Sequence, residues 1–306
     1  MKTRISFSIV IAPMRRTLPL LIAIALLAGC GSGADAPVVA TTTQAADLAR
    51  NVAGDRIKVA GILTPNADPH GYEPRARDVK RLVGAKLVLH SGGEVDEWLE
   101  EAQASAGSDA RVVTLGENTR EEPHWWQDPR AAIAAVANIR DGLSEVDPDN
   151  RAAYDANARR YTARLRALDR GIARCVGAVP PARRKLVTDH DAFGYFARRY
   201  GVQVIGAVIP SQTTQAQPSA GDIAKLSALI QRERVKAVFP ETSINQKLAQ
   251  ALARQTGATA HYDLYGDTLG PAGSPGASYL GMERANANAM VRGFTGGRQG
   301  CTIPGL

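Results

Sequence analysis

Residues 147–176 read DPDNRAAYDANARRYTARLRALDRGIARCV. Pro148, between two aspartates, stands where a helix tolerates proline at its first turn. Tyr154, Tyr161, Leu165, Leu168 and Ile172 then follow at spacings of 7, 4, 3 and 4, one apolar stripe of helical period. The spacing predicts a single helix of about 28 residues, ~42 Å long at 1.5 Å per residue. One layer of an α/β domain needs less, so the helix can serve as a strut between two bodies. Pro180 and Pro181 break the chain after it.

On both sides of this helix, short β-rich runs alternate with helical patterns. Before it, residues 38–42, 57–63, 87–89 and 112–115 read as strands, and 44–52, a stretch that follows Glu73-Pro74 and runs to Leu82, 94–104 and 128–143 as helices. After it, 185–188, 202–209 and 235–239 read as strands, and 193–200, 219–234, 246–257 and 278–291 as helices. Strands alternating with helices predict parallel sheets covered on both faces. The expected fold is therefore α/β, with two parallel-sheet (β/α) lobes joined by one long rigid helix. The expected division is 1–29 export segment, 30–37 anchor and tether, 38–146 N-terminal domain, 147–176 linking helix and 177–306 C-terminal domain.

The first residues suit export. Lys2, Arg4, Arg15 and Arg16 precede an apolar run over 18–28 that is too short to span a bilayer, which takes ~20 residues. Met14 offers an alternative start. Leu27-Ala28-Gly29-Cys30 resembles a bacterial lipobox, which would make Cys30 the lipidated first residue of the mature chain. The expected location is the cell envelope, lipid-anchored to the outer face of a membrane or periplasmic, with membrane contact only through that anchor. The four basic residues of 1–29 supply more than half of the net charge of +7, leaving +3. No arginine block interleaved with aromatics argues for nucleic acid. An exported location is oxidising, so the two remaining cysteines, Cys175 and Cys301, are expected to form a disulfide, the alternative being two free thiols. Their spacing fits no metal motif.

The five histidines are His70, His90, His124, His190 and His261. Three stand in loops beside prolines and acids: Asp68-Pro69-His70-Gly71-Tyr72-Glu73-Pro74, Pro123-His124-Trp125-Trp126-Gln127-Asp128-Pro129, and Thr188-Asp189-His190-Asp191-Ala192-Phe193. Loops at the carboxyl ends of parallel strands are where α/β sheets bind ligands. None of the three matches a local zinc signature, so spacing alone says little.

In this order, together with Gly92…Glu94…Trp98, Asn157…Tyr161 and Ser278-Tyr279-Leu280…Asn286, these windows resemble the solute-binding lipoproteins of zinc and manganese ABC importers, the cluster 9 or A-I family. The resemblance covers nearly the whole mature chain. It implies a metal held in the cleft between the lobes by two side chains from each: His70 and His124 from the first, His190 and an acid from the second. The acid falls on Asp267, with Asp263 as the alternative. The implied function is a receptor, not an enzyme, that captures Zn²⁺ and delivers it to the membrane permease of an ABC importer, with a periplasmic metallochaperone as a further partner. It is expected to act as a monomer.

Imidazole suits zinc, whereas carboxylate-rich sites suit manganese. Three histidines and one acid place the chain on the zinc side, with Mn²⁺ as the alternative. Asp68, Asp128, Asp189, Asp191 and Glu241 are the acids expected to accept a proton from a ligand imidazole and fix its tautomer, with Glu241, Asp128 and Asp189 foremost. His90, His261 and the two tryptophans read as structural, and Gln127 has no evident role. Affinity is expected to fall as pH drops through ~6, where imidazole protonates. Two other functions compete: a zinc hydrolase, which keeps one position open for water, and a surface adhesin.

Overall fold

The computed structural model describes residues 36–116 and 122–305. The expected export segment and Cys30 lie outside the described residues. In the first lobe, β1 (Val38–Ala40), β2 (Val59–Gly61), β3 (Leu87–His90) and β4 (Arg111–Thr114) pair in parallel in the order β2-β1-β3-β4. Val38, Val39, Ala40 and Leu87 to Leu89 are fully buried, as expected of central parallel strands covered on both faces. α1 (Thr43–Ala53) and α4 (Pro129–Val146) cover one face, with Leu48, Val52, Val136 and Ile139 packed on Val38 and Leu87. α2 (Ala76–Leu82) and α3 (Leu99–Ala106) cover the other through Leu82 and Leu99.

The linking helix, α5, spans Arg151–Gly177, 27 residues and ~40 Å. It starts four residues later than the sequence pattern predicts. Asp147 leaves helical geometry (φ −146°, ψ 70°), and Pro148–Asn150 make a 3₁₀ turn. The Asp147 carboxylate accepts from Asn150 Nδ2 at 2.9 Å and from the Tyr154 hydroxyl, so it caps the corner between α4 and α5. The predicted stripe from Tyr154 to Ile172 is buried along its whole length.

The second lobe is less regular. β5 (Lys185–Thr188) and β6 (Gln203–Ala207) pair in parallel. Beyond β5 the ladder continues only as single parallel bridges, Thr188–Phe239, Ala237–Thr259 and Glu241–Leu264. The strand predicted at 235–239 is thus a broken one. Pro240, lacking an N–H, cannot donate to a ladder. α6 (Gly194–Tyr200) and α9 (Tyr279–Thr295) lie on the α5 side, where Phe196, Met290 and Phe294 join α5 and the first lobe in one continuous core. α7 (Ala220–Glu233) and α8 (Lys247–Thr256) cover the opposite face through Leu226, Ile230 and Leu252. Cys175 and Cys301 are bonded, Cα atoms 5.4 Å apart, and pin the C-terminal tail to the end of α5. Among the described residues, no helix is long and apolar enough to cross a membrane.

Candidate metal centre

All four side chains singled out above leave carboxyl ends of the parallel ladders. The loop after β2 turns at Asn66, whose φ of 61° lies in the left-handed region that asparagine tolerates better than most residues. Asn66 N–H donates to Thr268 Oγ1 at 3.0 Å, so this loop is tied to the second lobe. Asp68 then accepts from the His70 N–H at 3.0 Å and from the Thr214 hydroxyl at 2.6 Å. His124 precedes a 3₁₀ turn, Trp125–Gln127, that runs into α4. His190 ends β5's loop, its carbonyl taking the Thr188 hydroxyl at 2.6 Å. Asp267 follows the bridged segment that ends at Leu264.

These four side chains converge. His124 Nε2 is 3.4 Å from both His70 Nε2 and His190 Nε2. Asp267 places Oδ2 3.3 Å from His190 Nε2 and 3.7 Å from His70 Nε2, and Oδ1 3.5 Å from His124 Nε2. All four side chains are at most 1% exposed. Both Asp267 oxygens are buried without a hydrogen-bond partner. Among the described residues, this is the one group of three or more His, Cys, Asp or Glu side chains whose ligand atoms share so small a space.

The imidazoles are held in two different ways. His190 Nδ1 lies 2.9 Å from Glu241 Oε1, which also accepts the His190 N–H at 3.1 Å. Burial pulls His190 down, but Asp267 and Glu241 outweigh it and hold its pKa well above the ordinary imidazole value. Burial raises Asp267 in turn, yet the cation of His190, with His70 and His124 beside it, leaves the carboxyl well below its usual range. Glu241 is raised by burial, which His190 only partly offsets. His124 has no acid at Nδ1, and burial drives it well below the ordinary value. Asp267 and Glu241 thus favour the imidazolium form of His190, whereas burial favours the neutral form of His124.

The expected supporting acids divide. Glu241 touches His190. Asp189 does not reach an imidazole: its Oδ2 accepts from the Glu241 N–H at 2.7 Å, and burial and then the Glu241 charge push it up to about 7. It orients the residue that orients His190. Asp128 is a correction. Its carboxylate accepts from Arg130 N–H at 2.8 Å and caps α4, ahead of Pro129, so it is spent on the helix end. Asp263 is exposed and outside the group, as are His261 and Asp191. His90 pairs with Asp96 at 2.9 Å, away from the centre.

Other residues place Asp267. Gly266 must lack a side chain, because a Cβ there would stand 1.8 Å from Glu241 Oε2. The Gly266 carbonyl accepts from Trp126 Nε1 at 2.7 Å and from Gln127 Nε2 at 2.8 Å. Asn286 on α9 brackets Tyr265, with bonds of 2.9 Å to its N–H and its carbonyl. The Leu269 N–H reaches Thr43 Oγ1 at 2.9 Å. The first lobe thus grips the loop that carries the second lobe's acid. Gln127, without a role in the sequence, is one of the hands.

The chain is similar to known metal-binding proteins over most of its length. A family model described as the periplasmic zinc-uptake complex component A matches residues 38–293. The chain is 32% identical over 290 residues to the manganese-binding lipoprotein MntA of Bacillus subtilis, covering 87% of this chain and 94% of that one. It is 30% identical over 270 residues to the zinc-binding protein TroA of Treponema pallidum, covering 83% and 87%. The solved structure of the periplasmic zinc-binding protein TroA superposes with a TM-score of 0.78 at 29% identity, over 84% of this chain and 98% of that one.

Proposed function

The chain belongs to the family of the periplasmic zinc-uptake complex component A, and from that premise we infer that it is the extracytoplasmic metal-binding receptor of an ABC importer, with zinc as its cargo. Its partner is then a membrane permease, its place the cell envelope, and its anchor Cys30. Relatives are named for manganese as well as zinc, so family alone does not choose the ion.

The observation that carries the choice is the donor set and its spacing. Four ligands of a tetrahedral zinc at ~2.0–2.1 Å lie ~3.3–3.4 Å from one another. Five separations between His70, His124, His190 and Asp267 run from 3.3 to 3.7 Å. Three imidazoles and one carboxylate favour zinc over the harder manganese. The ion replaces the proton on His190 and satisfies the two orphaned Asp267 oxygens. Glu241 keeps Nδ1–H of His190 engaged, which leaves Nε2 free to ligate. Interlobe bonds from Asn66, Asp68, Trp126 and Gln127 make the two lobes sense the ion together.

Metal analysis of the chain purified without added metal tests this reading. We expect about one zinc per chain, and little in His190→Ala. Manganese in place of zinc, or zinc retained by that variant, overturns it.

A further inference from the structure

α5 carries seven arginines, and all seven are exposed. Four of them, Arg159, Arg166, Arg170 and Arg174, recur at spacings of 7, 4 and 4 on the side opposite the buried stripe. They form a line ~22 Å long at 1.5 Å per residue. The two carboxylates of the helix are already taken: Asp155 by Arg140 at 3.6 Å and Asp169 by Arg199 at 2.6 Å. None of the four arginines has an ion-pair partner among the described residues.

A basic cavity lies past the C-terminal end of the line, and an apolar groove runs beside its N-terminal half. Past Arg174, the disulfide holds the tail that carries Arg298. Arg298 lines a cavity of about 540 Å³ with Arg183, Lys185, Arg234 and Lys236, where the one acid, Glu233, is engaged by Lys185 at 3.0 Å. Beside Arg159 and Arg166, a groove of about 530 Å³ between α4 and α5 is lined by Ile133, Val136 and Ala137. Charge is segregated along the whole chain: residues 38–146 hold 12 Lys and Arg against 17 Asp and Glu, whereas 147–306 hold 21 against 12.

We propose that the outward face of α5 is a docking surface for an anionic phospholipid bilayer, on which the protein lies along its linking helix. Guanidinium is the cation that meets phosphate oxygens two at a time. A straight row of them fits a plane of headgroups better than one small anion. Apolar lining next to cations suits phosphate above hydrocarbon, and not a polyanion in water. This adds a second membrane contact to the anchor that the sequence assigns, and it stands independently of which metal is bound.

The described residues belong to one compact unit, so the chain from Asp35 onward tests the surface without an anchor. Its partition onto vesicles of phosphatidylcholine, with and without about one-third phosphatidylglycerol, is measured at low and high salt. Binding should need phosphatidylglycerol and weaken with salt. At about 1 kcal/mol per basic residue near such a surface, R166Q/R170Q/R174Q should lower the partition about 100-fold. K225Q/K247Q/R254Q removes equal charge from exposed positions on α7 and α8, in the opposite layer, and should change it no more than a few-fold. Unchanged zinc affinity in both variants shows that they fold. The proposal is overturned if the parent chain ignores phosphatidylglycerol, if both triple variants lose binding equally, or if soluble polyphosphate binds as tightly as the vesicles.

Discussion

The two lobes bring histidines to one point by different means. In the first lobe, His70 and His124 have no partner at Nδ1, and packing sets them, with Trp126 edge-on to His124 at 5.4 Å. In the second lobe, charge sets His190, through Glu241 and, behind it, Asp189. Packing drives an imidazole toward neutrality, whereas a buried carboxylate drives it toward the cation. One centre thus joins a histidine ready to ligate with one that must first lose a proton. The second lobe's His190 differs in charge preference from the first lobe's His124.

The largest effect should come from removing a donor outright. Apparent zinc affinities of four-ligand sites, ~10–16 kcal/mol, divide to about 3 kcal/mol per ligand, so His190→Ala or Asp267→Ala should weaken zinc roughly 100-fold or more. Exposed Asp263→Ala should leave it unchanged. A competition titration reads both, and equal losses at 263 and 267 would break the distinction between the two acids.

Glu241→Gln sharpens the contrast. Loss of a partner behind a metal-bound histidine typically costs 10–100-fold. The variant should also move the pH profile. In the parent chain, His190 is protonated to above the ordinary imidazole value, so each ion displaces about one proton near neutral pH. Affinity falls about tenfold per pH unit below His190's raised pKa, a loss that begins higher than the ~6 expected from imidazole alone. Without the Glu241 charge, that onset should shift to lower pH. In the ion-free chain the sign is the usual one for a raised pKa: the protonated pair contributes to stability at pH below the ordinary imidazole value, and that contribution is lost as pH rises through the raised one. Titration in buffers of different ionisation enthalpy counts the protons released, and a count near zero at pH 7 in the parent would contradict the assignment.

How much of this was readable in the chain follows the same divide. The three histidine windows are legible only through their likeness to the importer lipoproteins, because none carries a local zinc signature. Asp128 was misread although its own signature was present: Asp-Pro ahead of an apolar period is a helix start, and the helix claimed the carboxylate. The 147–150 corner was hidden because Asp147 bonds to a side chain seven residues on, Tyr154, which the periodicity counts only as apolar. Gln127 was illegible for a different reason. Its partners are backbone carbonyls 138 and 139 residues away, and no local pattern marks a carbonyl.

That residue gives a smaller test. Gln127→Leu leaves the Gly266 and Tyr265 carbonyls with one donor fewer each, a cost of about 1–3 kcal/mol. Melting of the ion-free chain should fall by several degrees and zinc affinity by no more than about tenfold. Smallest of all on affinity is the disulfide. Reduction of Cys175–Cys301 opens a loop of 126 residues, worth up to about 5 kcal/mol of stability in the chain-entropy view. Because the bond lies at the far end of α5, zinc affinity below the melting point should not change.

X-ray absorption at the zinc edge reads the centre most directly. Four side chains on one ion predict a shell of four light atoms at ~2.0–2.1 Å with the outer-shell scattering of three imidazoles, reduced to two when His190→Ala is loaded with excess zinc. A six-atom oxygen-rich shell, or an imidazole count that the substitution leaves unchanged, would contradict it.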